Sequence, residues 1–73
     1  MKFKTISGSE YEIVEHPSGV MARRLNAGHL KRFDGEWKEL TEMPVVEHDY
    51  PAILRYADGQ LVRVTSYVME VFE

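Results

Sequence analysis

Four basic side chains stand close together in this sequence: Arg23, Arg24, Lys31 and Arg32. No acid falls between Arg23 and Phe33, so that stretch carries four positive charges. From Glu39 to Glu73 seven acids face two arginines, a balance of −5. A concentrated positive surface attracts phosphate or carboxylate groups even on a chain whose net charge is −3. Trp37 and Phe33 lie beside it and have the flat faces on which bases stack. This constellation points to a small nucleic-acid-binding domain. Strand geometry argues the other way. Alternation sends Arg23 and Arg24 to opposite faces, and Lys31 and Arg32 likewise. At most half of the four then share one surface, unless this region is a loop or helix, and the alternative is that these residues pair with acids on neighbouring strands.

The aromatic residues offer a second chemistry. Eight of them, three Phe, four Tyr and one Trp, are more than so small a core can hide. Phe3, Tyr11, Trp37 and one face of the Ile53–Val64 hairpin are expected inside. Tyr50, next to Pro51 in a chain break, and Tyr67 are candidates for the surface. With Met43 or Met69 they would form an apolar patch that binds a protein or a second copy of the chain. The terminal run Val68 to Glu73 is expected to pair within the sheet or across a dimer, because an unpaired strand invites aggregation.

Other chemistry finds little support. His16, His29 and His48 are too far apart to form a local metal-ligand unit. Glu47-His48-Asp49 splits across two faces of a strand. The serines Ser7, Ser9, Ser18 and Ser66 sit where turns need them, and none has the setting of a nucleophile elbow. The five glycines stand singly, which leaves no phosphate-cradling loop. The expectation is a non-catalytic protein with no metal and no cofactor.

The elements that must position these residues are short β-prone runs separated by turns. Lys2 to Ser7 ends at Ser7-Gly8-Ser9. Glu10 to His16 alternates strictly, with Tyr11 and Ile13 on one side, and closes at His16-Pro17-Ser18-Gly19. Val20 to Leu25 follows, then Leu30 to Phe33, Asp34-Gly35 and Glu36 to Thr41. Val45 to His48 reads as a short edge piece. Ala52 to Ala57 and Gln60 to Ser66 flank Asp58-Gly59, the pattern of a hairpin with a type I′ turn. Tyr67 to Phe72 completes the chain. A short helical turn is most plausible within Met21 to Lys31, although Asn26 and Gly28 oppose a long one. The fold class is therefore all-β: one domain over residues 1–73, a small antiparallel meander closed or bent into an SH3-like or OB-like barrel.

Size and composition agree. The chain has 73 residues and no cysteine, so no disulfide staples it. A core this small supplies net stability of only about 3–5 kcal/mol, which makes a homo-oligomer worth expecting. No apolar run suggests a membrane span or an export signal, and the expected address is the cytoplasm.

Thr5-Ile6-Ser7-Gly8-Ser9-Glu10-Tyr11-Glu12-Ile13 resembles the "T-x-S-G-S-x-Y-E-V" opening of short uncharacterised proteins of actinobacteria and their phages. Thr65-Ser66-Tyr67-Val68-Met69-Glu70-Val71 is similar to their "T-S-x-V-x-E-V" ending, and Arg23-Arg24, Gly35-Glu36-Trp37 and Pro44 follow the same order. The resemblance implies a small bacterial or phage accessory protein and transfers no site residue. The main functional expectation is an interaction module that binds another protein through a β edge or an aromatic and methionine patch. The nucleic-acid-binding barrel is the alternative, and a protein that sequesters a small molecule is a third option. The residues singled out for binding are Arg23, Arg24, Lys31, Arg32, Trp37, Tyr50 and Tyr67.

Overall fold

The structure is a computed structural model that describes residues 1–26 and 36–72. Among these residues the chain is all-β, as the turn spacing predicts. Six strands form one antiparallel sheet: β1 Lys2–Thr5, β2 Glu10–His16, β3 Gly19–Asn26, β4 Lys38–Leu40, β5 Pro51–Arg55 and β6 Val62–Phe72. Their spatial order is β4-β3-β2-β1-β6-β5. The sheet curls until its two ends meet. Leu40 bridges Tyr56, Thr41 N–H donates to Arg55 O at 2.8 Å, and Ala57 N–H donates to Glu39 O at 3.0 Å. Curling hides most of the edges that an open sheet of this size would expose. No helix among the described residues is long and apolar enough to cross a membrane.

The alternation of Glu10 to His16 translates directly into burial. Tyr11 and Ile13 point inward, while Glu10, Glu12 and Val14 lie toward the outside. Gly8, at φ 92°, allows the tight β1–β2 turn, where its N–H donates to Thr5 O at 2.9 Å. Only glycine adopts that backbone without steric cost. Phe3, Tyr11, Ile13, Val20, Ala22, Leu40, Ala52, Leu54 and Val68 form one buried cluster. Phe3 stacks on Tyr11 with ring centroids 5.1 Å apart.

Two polar residues, Thr5 and Thr65, are buried with this core. Thr65 is buried, and its Oγ1 accepts the Ala52 N–H at 2.9 Å and donates to Ser66 O at 2.7 Å. The register between β5 and β6 shifts here, and the hydroxyl stands in for the ladder carbonyl. Thr65→Val keeps the shape but orphans a buried N–H. It is expected to lower unfolding free energy by about 1–3 kcal/mol, measured by urea denaturation. An unchanged midpoint would contradict that role.

Several expectations need correction. The Asp58-Gly59 pair does not form a two-residue type I′ turn. Gly59 has φ 68°, but Asp58 does not share the positive φ that such a turn requires. Instead Tyr56 N–H donates to Leu61 O at 2.8 Å and closes a longer loop containing a 3-10 turn, Asp58–Gln60. That is the one helical turn among the described residues, and positions 27–31 of the stretch expected to hold one lie outside them. Met21 to Asn26, where a turn was expected, belongs to β3. The runs Gln60 to Ser66 and Tyr67 to Phe72 are one strand, β6, whose first part pairs with β5 and last part with β1. The final residues of β6 thus find their partner within the sheet. Val45 to His48 is not a strand; only His48 makes a bridge, to Val68. The next residue, Asp49, turns the chain at φ 72°. The Leu30 to Phe33 run and the Asp34-Gly35 turn lie outside the described residues.

Candidate functional site

The two halves of β6 have different surroundings. From Thr5↔Val68 to Lys2↔Phe72 it is flanked by β1. β1 ends at Thr5, and the chain turns back through Ser7-Gly8-Ser9. The hydroxyls of Ser7 and Ser66, 2.8 Å apart, mark the end of the flanked stretch. Beyond Ser66 no described strand lies on that side of β6.

Backbone direction follows from the register. Tyr56 N–H donates to Leu61 O, so Tyr56 and Leu61 face each other as a hydrogen-bonded pair. Pairs two residues on repeat that geometry, which places Leu54↔Arg63 in the ladder. The intervening residues Ile53, Arg55, Val62 and Val64 then point their N–H and C=O away from this ladder. On β5, Arg55 O meets Thr41 N–H. On β6, Val62 and Val64 meet no backbone partner among the described residues. Among the described residues they form an open strand edge.

The side chains reinforce the difference. On the outer face of β1 to β3, charges alternate across the strands. Lys2 lies opposite Glu12, and Lys4 lies between Glu10 and Glu70. Glu12 holds Arg23 at 2.7 Å. Such a surface resists apolar contact. The outer face of β5 and β6 instead carries Ile53 opposite Val64, with Val62 next along the strand. Val62 is 51% exposed, Val64 63% and Tyr67 55%. Ile6, where the β1–β2 turn begins, is exposed as well.

Arg63 projects to the other face, the one that buries Leu54. It lines a cavity of about 570 Å³ at the mouth of the curled sheet, together with Arg24, Trp37, Tyr56, Glu36 and Asp58. Burial pushes the Tyr56 phenol above its ordinary value of 10.0, and the positive charges of Arg63 and Arg24 pull the other way. Arg63 makes no ion pair with a described residue.

A titration checks this geometry. Tyr56 is expected to ionise above the usual phenol range when absorbance is followed against pH. Arg63→Gln removes a neighbouring cation and is expected to raise that value further. Because the folded chain holds this proton more tightly than the unfolded chain, stability is full below pH 10 and falls as pH climbs through the folded value. A Tyr56 titration that ignores the Arg63 substitution would separate the two groups.

The structure brings together three of the residues singled out in the sequence. Arg23, Arg24 and Trp37 all border the mouth, although β3 alternation sends the two arginines to different faces. Arg23 lies over the Trp37 ring, 4.6 Å from its centroid. Trp37 is consequently 39% exposed and is not a core residue, a correction to the expectation. Its indole packs under a guanidinium that Glu12 already holds, a cation–π contact. Tyr50 lies elsewhere, beside Met43, Pro44 and Ile53 along a shallow groove. Tyr67 is on β6, past the open edge. Lys31 and Arg32 lie outside the described residues. His48 Nδ1 approaches Asp49 Oδ2 at 3.1 Å with both side chains exposed, and no metal-binding cluster occurs among the described residues.

Tyr56, Val62, Arg63 and Val64 were not singled out from the sequence. The signal present was an arginine between two β-branched residues inside an alternating run. No protein-family model, curated protein or solved structure matches the chain, so the site is interpreted from its own chemistry.

Proposed function

We propose that this protein is a non-catalytic interaction module that binds an extended segment of a partner protein along the first half of β6. The observation that carries this reading is the open backbone edge at Val62 and Val64, bordered by exposed apolar side chains. An edge of this kind accepts an added strand. Main-chain hydrogen bonds supply the affinity and alternate side chains the selectivity. The exposed Ile53, Val62 and Val64 supply apolar area that a partner strand would cover. The context implied by the resemblance, a bacterial or phage accessory protein, suits a small binding module.

Peptide display tests the reading. Extended peptides selected on the wild-type protein are expected to lose binding to Val64→Pro, which blocks the edge. Selected peptides that bind the variant equally well would refute it.

The nucleic-acid alternative draws less from the geometry. Arg23 is committed to Glu12 and to the face of Trp37, and three acids, Glu36, Glu39 and Asp58, line the same mouth.

A further inference from the structure

The open edge has a chemical preference built beside it. On a strand added to β6, residues opposite Val62 and Val64 would exchange backbone hydrogen bonds with them. The residue opposite Arg63 would fall at the non-hydrogen-bonded position between. At such positions the side chains lie closest, with Cα atoms about 4.5 Å apart. Its side chain would emerge on the same face as Arg63, at the mouth where Arg24, Lys38 and Tyr56 stand with the acids Glu36, Glu39 and Asp58, and Arg63 is the charge directly opposite it. Arg63 faces that mouth without an ion pair among the described residues. The outer-face neighbours of the added strand would be Val62 and Val64, with Ile53 across from Val64.

Resting on the edge-binding reading, we propose that the partner segment carries an acidic residue between two β-branched apolar residues, with its carboxylate on Arg63. The guanidinium has the planar donor fork that matches a carboxylate. A lysine or arginine at that position would meet Arg63 as a like charge directly opposite, which destabilises a strand pair. The apolar flanks match the outer face, where a charge would lie against valine. This pattern also disfavours a second copy of the chain as occupant. An antiparallel β6–β6 pair centred on Val64 sets Arg63 opposite Thr65 and leaves the guanidinium without a carboxylate.

The test uses two blocked heptapeptides, Ser-Thr-Val-Asp-Val-Thr-Ser and its lysine-centred counterpart, with binding followed by Trp37 fluorescence and calorimetry. The aspartate peptide is expected to bind the wild-type protein about tenfold more tightly at low salt, with the difference shrinking as salt rises. Arg63→Glu is expected to reverse the order, and Val64→Pro to weaken both. Arg63 is partly exposed and its substitution leaves the core intact, and the circular dichroism of each variant checks this. Equal binding of both peptides, lost in Val64→Pro, would overturn the acidic preference and leave the edge reading standing. Binding of neither at millimolar concentration would overturn both. A wild-type dimer in sedimentation that Val64→Pro dissociates would assign the edge to a second copy and overturn the acidic-segment proposal.

Discussion

Phe3→Ala is expected to leave most of the chain unfolded at 25 °C. Phe3 is fully buried in the core cluster of the described residues and stacks on Tyr11. Removing a buried phenylalanine side chain costs about 3–5 kcal/mol, since both transfer energy and a cavity are involved. A core of this size supplies a net stability of about 3–5 kcal/mol in total. The loss and the reserve are equal in size, so the folded fraction collapses. Phe3 also joins the two halves of the sheet, because β1 lies between β2 and β6. Few neighbours can move to fill the gap without breaking a ladder. The far-ultraviolet circular dichroism and thermal melting of the variant measure this. Phe3→Leu, which conserves more volume, is expected to stay folded with a loss below about 1.5 kcal/mol. A cooperative melt for Phe3→Ala near that of the wild type would mean that the cluster is not the main source of stability.

The second large effect concerns binding. Val64→Pro is expected to reduce affinity for edge-binding peptides about 30-fold or more, because one intermolecular donor disappears and a carbonyl of the peptide loses its partner, together about 2 kcal/mol. The fold should barely notice. Proline is tolerated on edge strands where its missing N–H would have faced solvent, and the Val64 N–H meets no backbone partner among the described residues. A loss of stability within about 1 kcal/mol is expected, the range over which β propensities vary. The neighbouring substitution supplies the contrast. Arg63 N–H belongs to the β5–β6 ladder, and Arg63→Pro removes it, an interior proline costing about 3 kcal/mol or more by analogy with other regular elements. Two adjacent prolines should therefore have opposite consequences. Val64→Pro yields a folded protein that does not bind, and Arg63→Pro yields a protein that does not fold. If the two variants melt alike, the assignment of backbone directions along β6 is wrong.

The sequence carried the faces of the strands well and their edges poorly. Tyr11 and Ile13 alternate with charges, and period-2 alternation maps directly onto inside and outside. Phe3 and Tyr11 were readable as core for the same reason. Trp37 was not, because its surroundings depend on Arg23 and Glu12, which approach from β3 and β2. The Asp58-Gly59 pair carries a strong hairpin signal, yet the loop ends are fixed by Tyr56 N–H and Leu61 O, and Asp58 remains outside the positive-φ region. The joint between Ser66 and Tyr67 looked like a break. It is a point where a single strand changes partners, and the local residue types are the same in either case. The open edge at Val62 and Val64 is the least legible feature. An edge exists because a strand elsewhere is short, here the four-residue β1, and no pattern within Gln60 to Ser66 reports that length. The candidate residues Arg23, Arg24 and Trp37 come together where β4 pairs with β3, while Arg63 and Tyr56 join them only through the curl of the sheet.

Amide hydrogen exchange along β6, resolved residue by residue, addresses the open edge most directly. In the free protein Arg63 N–H is expected to exchange slowly while Val62 and Val64 exchange fast, an alternation that only a strand paired on one side produces. With the aspartate heptapeptide bound, Val62 and Val64 should become protected and Arg63 should change little. Protection of Val62 and Val64 in the free monomer, equal to that of Arg63, would mean that the edge is already occupied and would contradict the account.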